Sequence, residues 1–188
     1  MSSVNLEIPW KFLGNSLGLG MNKYHLIFFR YINKEPTTRM LLFSDLHLSP
    51  RTYVTCMKVL RRVHCEAVQR HISVGFLGDF FDKVHSQGTL PVNILNELMR
   101  FFETEWTVPM IMIPGNHDYF DAAETEHGLT PFAYASKHIR VLDKPTVIDR
   151  QLWVPWRRSP QTIATILQEN QDIDVIFGHF DIVGFKMS

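Results

Sequence analysis

Residues 108–118, VPMIMIPGNHD, constrain this chain more than any other stretch. A short apolar run bounded by Pro109 and Pro114 reads as a buried strand that stops abruptly in a polar turn. Gly115 lets the backbone take a conformation that a residue with a Cβ resists. After it stand Asn116, a neutral oxygen ligand, His117, a proton donor, and Asp118, a carboxylate able to fix the imidazole's tautomer. A Gly-Asn turn at a strand end is common, and alone it implies only a turn. The weight comes from repetition of the pattern.

Met40-Leu41-Leu42-Phe43 is the first clear strand, and it ends in Ser44-Asp45-Leu46-His47. Ser49-Pro50 then predicts a helix start. Along that helix Cys56, Val59, Leu60, Val63 and Ala67 recur at helical spacing, opposite a face with Lys58, Arg61, Arg62 and Glu66 that reads as solvated surface. Residues 72–77 form the second strand, followed at once by Gly78-Asp79-Phe80-Phe81-Asp82. A helix is expected over 91–103, with Ile94, Leu95, Leu98, Met99 and Phe102 inward. The opening stretch is the third strand. Beyond it lie a short helix at 130–138, three short β segments at 140–142, 146–148 and 152–154, and a helix from Ser159-Pro160 to about 170. A last strand at 174–177 ends in Gly178-His179-Phe180-Asp181.

Strand and helix alternate, which predicts an α/β layered domain with a largely parallel first half. In such sheets the ligand site lies outside the carboxyl ends of the strands. Four strands here end in Asp45/His47, Asp79/Asp82, Asn116/His117 and His179. Singly, each residue has an ordinary reading: Asp79 caps a turn, His179 is a hydrogen-bonded core histidine, His47 faces solvent. Together they form a ligand set suited to Mn²⁺, Fe or Zn²⁺ rather than a thiolate site.

Composition narrows the alternatives. A chain of 188 residues with 45% hydrophobic content and fourteen Phe can bury a substantial core in one domain. The aromatics Phe101, Phe102, Trp106, Trp153 and Trp156 read as core, or as a sticky patch if left bare. Zero formal charge gives no global signature of a nucleic-acid or membrane surface. Cys56 and Cys65 lack zinc-type spacing and are expected as small core residues in a reducing compartment. No run is long enough for a membrane span, and no signal pattern opens the chain, so a cytoplasmic, non-secreted protein is expected, with a nucleus or organelle as the eukaryotic alternative. Residues 1–39 read as an extension without assigned role, holding one helix or edge strand around 25–32.

The ordered motifs D-x-H at Asp45 and His47, G-D-x-x-D from Gly78 to Asp82, G-N-H-D from Gly115 to Asp118 and G-H at Gly178 and His179 resemble the calcineurin-like metallophosphoesterases, over residues 40–188. Within them the wording G-D-F-F-D, Val-Pro-Trp and G-H-F-D-I-V-G-F-K-M is most similar to SbcD-type nuclease subunits of DNA-break repair. The resemblance implies a layered-sheet fold and two divalent metals, Mn foremost and Fe or Zn as alternatives. Asp45 and His47 would hold the first, Asp79 would bridge both, and Asn116 and His179 would hold the second. Such a pair clamps the attacking and leaving oxygens and supplies hydroxide near neutral pH. His117 would then assist the leaving oxygen with Asp118 orienting it, and Asp82 would support the turn or a ligand. DNA as substrate, an SbcC-like ATPase partner and a homodimer follow from the same resemblance.

Family members carry a further G-H-x-H after the last motif, and the chain reads as C-terminally incomplete, lacking the closing strands. That predicts three protein ligands per metal, weakened metal affinity, and little or no activity unless a missing segment is supplied. Two other readings stay open: a phosphomonoesterase acting on a phosphoprotein or small ester, and a catalytically impaired fragment acting by binding.

Overall fold

A computed structural model describes residues 26–29, 40–82 and 90–180. Most of the N-terminal extension and the motif wording after Phe180 lie outside the described residues. Two sheets are present. The first has the order β1 (Leu26–Phe29), β2 (Met40–Phe43), β3 (Ser73–Leu77), β4 (Met110–Ile113) and β5 (Ile139–Val141). Its strands β2 to β5 are parallel, and β1 pairs antiparallel at the edge. The second sheet joins β6 (Thr146–Ile148) antiparallel to β7 (Gln151–Val154), which runs parallel to β8 (Val175–Gly178).

The central strands are apolar on both faces because both faces are covered. Leu41, Phe43, Val74, Phe76, Met110 and Met112 pack on one side against α1 (Tyr53–Arg70), α2 (Val92–Arg100) and α3 (Thr130–Ala135), in a core rich in phenylalanine. Leu42 and Ile113 point the other way, onto Leu142, just past β5, and onto Trp153 and Phe177 of the second sheet. The outer face of that sheet is covered by α4 (Pro160–Glu169), through Leu152, Val154 and Ile166. The order is helix, sheet, sheet, helix. Gly75 makes the sheet-to-sheet contact: a Cβ there would lie 2.5 Å from Leu42 Cδ2 and 2.9 Å from the Trp153 ring. Among the described residues no helix is long and apolar enough to cross a membrane.

Four local expectations are corrected. The first helix starts at Tyr53, not at Ser49-Pro50. Ser49 and Thr52 instead close a turn, in which the Thr52 hydroxyl donates to the His47 carbonyl at 2.8 Å. Cys56 is core, its Sγ 3.2 Å from the Leu46 carbonyl, but Cys65 is exposed. Glu66, expected in solvent, is buried between Arg62 and Arg70, which satisfy its carboxylate. The helix expected over 91–103 ends at Arg100 and continues as a wider i→i+5 turn over Phe101–Glu105, with Phe101 and Phe102 both in the core.

Candidate metal centre

The motif-bearing strand ends open at one edge. Strands β2, β3 and β4 run parallel, so the turns after Phe43, Leu77 and Ile113 lie side by side. The first two turns stay paired beyond the strands: Asp45, His47 and Leu48 N–H donate to the carbonyls of Gly78, Asp79 and Phe80 at 2.9, 3.1 and 2.8 Å. That pairing holds Asp45, His47 and Asp79 in the left-handed region, at φ of 57°, 47° and 60°. For residues with a Cβ this costs roughly 1–2 kcal/mol each, and it occurs where surroundings over-determine the backbone. Gly78 is at φ 96°, and a Cβ on it would lie 2.5 Å from His179 Nδ1. The second sheet thus delivers His179 to the same edge.

Asp79 is central and buried, 4% exposed. Its Oδ2 lies 4.0 Å from His47 Nε2 and 3.9 Å from His117 Nε2. Its Oδ1 lies 3.5 Å from His179 Nε2 and accepts the His117 backbone N–H at 3.0 Å. Asp45 flanks the Oδ2 side, its Oδ1 3.7 Å from His47 Nε2. Asn116 flanks the Oδ1 side, its Oδ1 3.0 Å from His179 Nε2. The other four residues assigned as ligands, Asp45, His47, Asn116 and His179, therefore surround the Asp79 carboxylate, and its two oxygens face different groups.

The imidazoles are oriented by carbonyls, which can only accept. His179 Nδ1–H donates to the Leu77 carbonyl at 2.7 Å, and His117 Nδ1–H donates to the Asp82 carbonyl at 2.6 Å. With Nδ1 so engaged, each ring turns its Nε2 toward Asp79. His117 and His47 meet edge to face, centroids 5.1 Å apart. At 3.7 Å the Asp45–His47 contact is an ion pair rather than a hydrogen bond. It raises the His47 imidazole above its ordinary range and lowers the Asp45 carboxyl below its own.

Asp118 does not orient the His117 ring, contrary to the expectation from their adjacency. Its carboxylate is fully buried and accepts four backbone N–H groups: Asp79 and Gly115 on Oδ2 at 3.0 and 2.9 Å, Phe80 and Phe81 on Oδ1 at 2.9 and 3.1 Å. Burial pushes this carboxyl up to about 7, against the pull of those donors. All four donors need an acceptor, so the ionised form is the one this cradle fits. Asp118 ties the Asp79 turn to the Gly115 turn. Asp82 serves the site through its carbonyl on His117, and its carboxylate stands 4.0 Å from His47 Nδ1.

The residues fit a divalent cation. Ligand atoms of His47, Asp79 and His117 all lie within 4.8 Å of one another. Two ligands each about 2.1 Å from a common ion stand about 3.0–3.4 Å apart at right-angled or tetrahedral geometry and up to about 4.2 Å when opposed. That range includes the 4.0 and 3.9 Å from Asp79 Oδ2 to His47 and His117 Nε2. His47 Nδ1 is buried without a hydrogen-bond partner. His179 Nε2 and Asn116 Oδ1 lie 3.0 Å apart on the Oδ1 side of Asp79, close enough for both to ligate one cation there. His117 stands at ligand distance too, which its assigned proton-transfer role had not suggested.

Sequence reasoning missed the loop after β7. Arg157 donates to the Tyr119 hydroxyl, the Trp156 carbonyl and the Asp143 carbonyl at 2.8, 2.8 and 2.9 Å, and so locks this loop onto the segment following His117. An Arg pair directly after Val-Pro-Trp was the available signal.

A family model described as Calcineurin-like phosphoesterase matches residues 38–183. No curated protein matches the chain. Among solved structures, the Pseudomonas putida nuclease MPE is similar at 20% identity and a TM-score of 0.37, over 61% of this chain and 52% of that one. This chain therefore spans about half of that nuclease. A protein of unknown function from Aquifex aeolicus is similar at 16% identity and a TM-score of 0.44, over 77% of this chain and 81% of that one. Neither superposition is close enough to bear on the chemistry.

Proposed function

This chain belongs to the calcineurin-like phosphoesterase family, and from that premise we propose that it is a two-metal phosphodiesterase of the SbcD type acting on DNA. The observation that carries the proposal is the placement of Asp79, whose two oxygens face separate groups as a bridging carboxylate requires. Asp45, His47 and Asp79 Oδ2 would hold one ion, and Asp79 Oδ1, Asn116 and His179 the other. Manganese suits this set of imidazole, carboxylate and amide oxygens, with iron or zinc as alternatives. When bound, the pair supplies neutralisation of phosphoryl charge and an acidified water. The chain's own residues do the rest. Asp79 and Asn116 fix the spacing, and the carbonyls of Leu77 and Asp82 aim the imidazoles. His117, through Nε2, would protonate the leaving oxygen as the P–O bond to it breaks, while the attacking water, forming the new bond to phosphorus, would give up its own proton to solvent. The motif wording after β3, β7 and β8 supports DNA as the substrate.

Turnover of bis(4-nitrophenyl) phosphate against 4-nitrophenyl phosphate by the metal-stripped chain, with and without Mn²⁺, tests this reading. The expected result is Mn²⁺-stimulated hydrolysis that favours the diester. A tenfold preference for the monoester replaces it with a phosphomonoesterase, and hydrolysis that Mn²⁺ does not stimulate refutes it.

A further inference from the structure

The loop after β7 is built into the site's rim. Val154 pairs in register with Gly178, and the His179 N–H donates back to the Val154 carbonyl at 3.4 Å, so β7 and β8 end together. Two residues on, the Trp156 N–H donates to the Pro114 carbonyl at 2.9 Å. Trp156 therefore sits between the strand ends that carry Asn116 and His179. Its indole is half-buried, 6.1 Å from the Tyr119 ring on one side, with the Arg158 guanidinium 5.9 Å from its centroid. The two neighbouring arginines have different situations. Arg157 is consumed by Tyr119, by two carbonyls and by Glu124 Oε2 at 3.8 Å. Arg158 is exposed, its guanidinium lies over the Trp156 ring, and among the described residues no carboxylate forms an ion pair with it; its backbone N–H is tied to Glu124 Oε1 at 2.9 Å.

An unpaired guanidinium beside an aromatic ring, held on a rigid loop next to a phosphoester site, has the chemistry of a nucleotide contact. The fork of Arg matches phosphate oxygens, and an indole face or edge takes a nucleobase. We propose that Trp156 and Arg158 form a nucleotide-binding rim: Trp156 stacks on a base of a single-stranded DNA segment, and Arg158 pairs with the phosphate next to the one being cleaved. This rests on the phosphodiesterase reading above and names the part of the substrate that the metal residues do not contact.

The test is binding, in EDTA, of a fluorescein-labelled ten-nucleotide single strand, read by anisotropy across a salt series, so that it needs neither metal nor turnover. Arg158→Gln is expected to weaken binding at least fivefold and to flatten the slope of log K against log salt by about 0.7, the contribution of one phosphate on a single strand. Trp156→Leu is expected to weaken it about tenfold without changing the slope, and Trp156→Phe to restore most of the loss, which separates stacking from misfolding. Arg140→Gln, an exposed cation on β5, serves as the control and leaves both quantities unchanged. No binding by the unaltered chain, equal losses in R158Q and R140Q, unchanged affinity in Trp156→Leu, or competition by free dAMP as effective as by the strand would each overturn the proposal. If hydrolysis of simple diesters persists while the binding differences vanish, this inference fails and the phosphodiesterase reading stands. If hydrolysis fails while the differences appear, the reverse holds.

Discussion

Gly115→Ala measures how tightly the fold holds the centre. A Cβ at this position would lie 2.2 Å from Asp79 Oδ1 and 2.4 Å from the Asp79 backbone nitrogen. The nitrogen cannot rotate away, so the two turns must part by about 1 Å to reach even a tight contact. Metal ligation tolerates deviations of about 0.2 Å. The shift therefore takes Asp79 Oδ1 out of reach of an ion held by its neighbours, and Mn²⁺ binding should weaken by about 100-fold or more, about 2.7 kcal/mol. Overpacking itself costs about 1–3 kcal/mol, a fall in melting temperature of roughly 2–12 °C for a chain of this size. Gly75→Ala is the companion. Its Cβ would meet Leu42 Cδ2 at 2.5 Å and Trp153 at 2.9 Å, far from the ligands, so it should lower the melting temperature comparably and leave Mn²⁺ affinity within about twofold. Calorimetric titration of both variants and thermal melts decide it. Unaltered Mn²⁺ affinity in Gly115→Ala, or equal affinity losses in the two variants, would refute the reasoning.

Three further outcomes follow from the geometry. Asp118→Asn turns one acceptor oxygen into a donor against two buried N–H groups, which should cost about 3 kcal/mol and lower the melting temperature by roughly 6–12 °C; a melt within 2 °C of the parent would contradict the backbone-clamp role. His117→Gln should lower the turnover number about 100-fold or more while Mn²⁺ affinity stays within a few-fold, and a large affinity loss would make His117 a ligand instead. The pH dependence has opposite signs with and without metal. In the metal-free chain, the raised His47 pKa contributes stability fully present below 6.5 and lost as pH rises through the folded-state value, while the lowered Asp45 pKa contributes stability present above 3.8 and lost as pH falls through its folded-state value. Metal binds the neutral imidazole, so Mn²⁺ affinity should instead fall as pH drops, beginning above the ordinary histidine range; thermal melts and titrations across pH 5–8 read both, and matching trends would refute the assignment.

Much of the fold was legible because apolar runs of four or five residues, each followed by a polar turn, allow few other arrangements. The α/β alternation predicted β2, β3 and β4 with their connecting helices, and placed Asp45, Asp79 and Asn116 at one edge. The division into two sheets was not legible, since it depends on Trp153 reaching Gly75 across the interface, a contact between residues far apart in sequence. Asp118 misled for a related reason. Neighbouring side chains at a turn diverge, so its carboxylate met the amides of Asp79, Phe80 and Phe81 while His117 found a carbonyl at Asp82. Glu66 was read as solvated because its face carries Arg62, yet pairing with Arg62 and Arg70 is what permits its burial. Trp156 and Arg158 gave no periodic signal at all, since they lie on a loop whose position is set by a hydrogen bond to Pro114.

Titrating the metal-stripped chain with Mn²⁺ in a calorimeter, alongside Asp79→Ala, Asn116→Ala and His47→Ala, bears most directly on Asp79 as the shared ligand. Two ions per chain are expected for the parent, none for Asp79→Ala, and one for each of the other two variants. A parent that takes up no Mn²⁺, or an Asp79→Ala chain that still binds an ion with parental affinity, would contradict the bridging carboxylate and the phosphodiesterase built upon it.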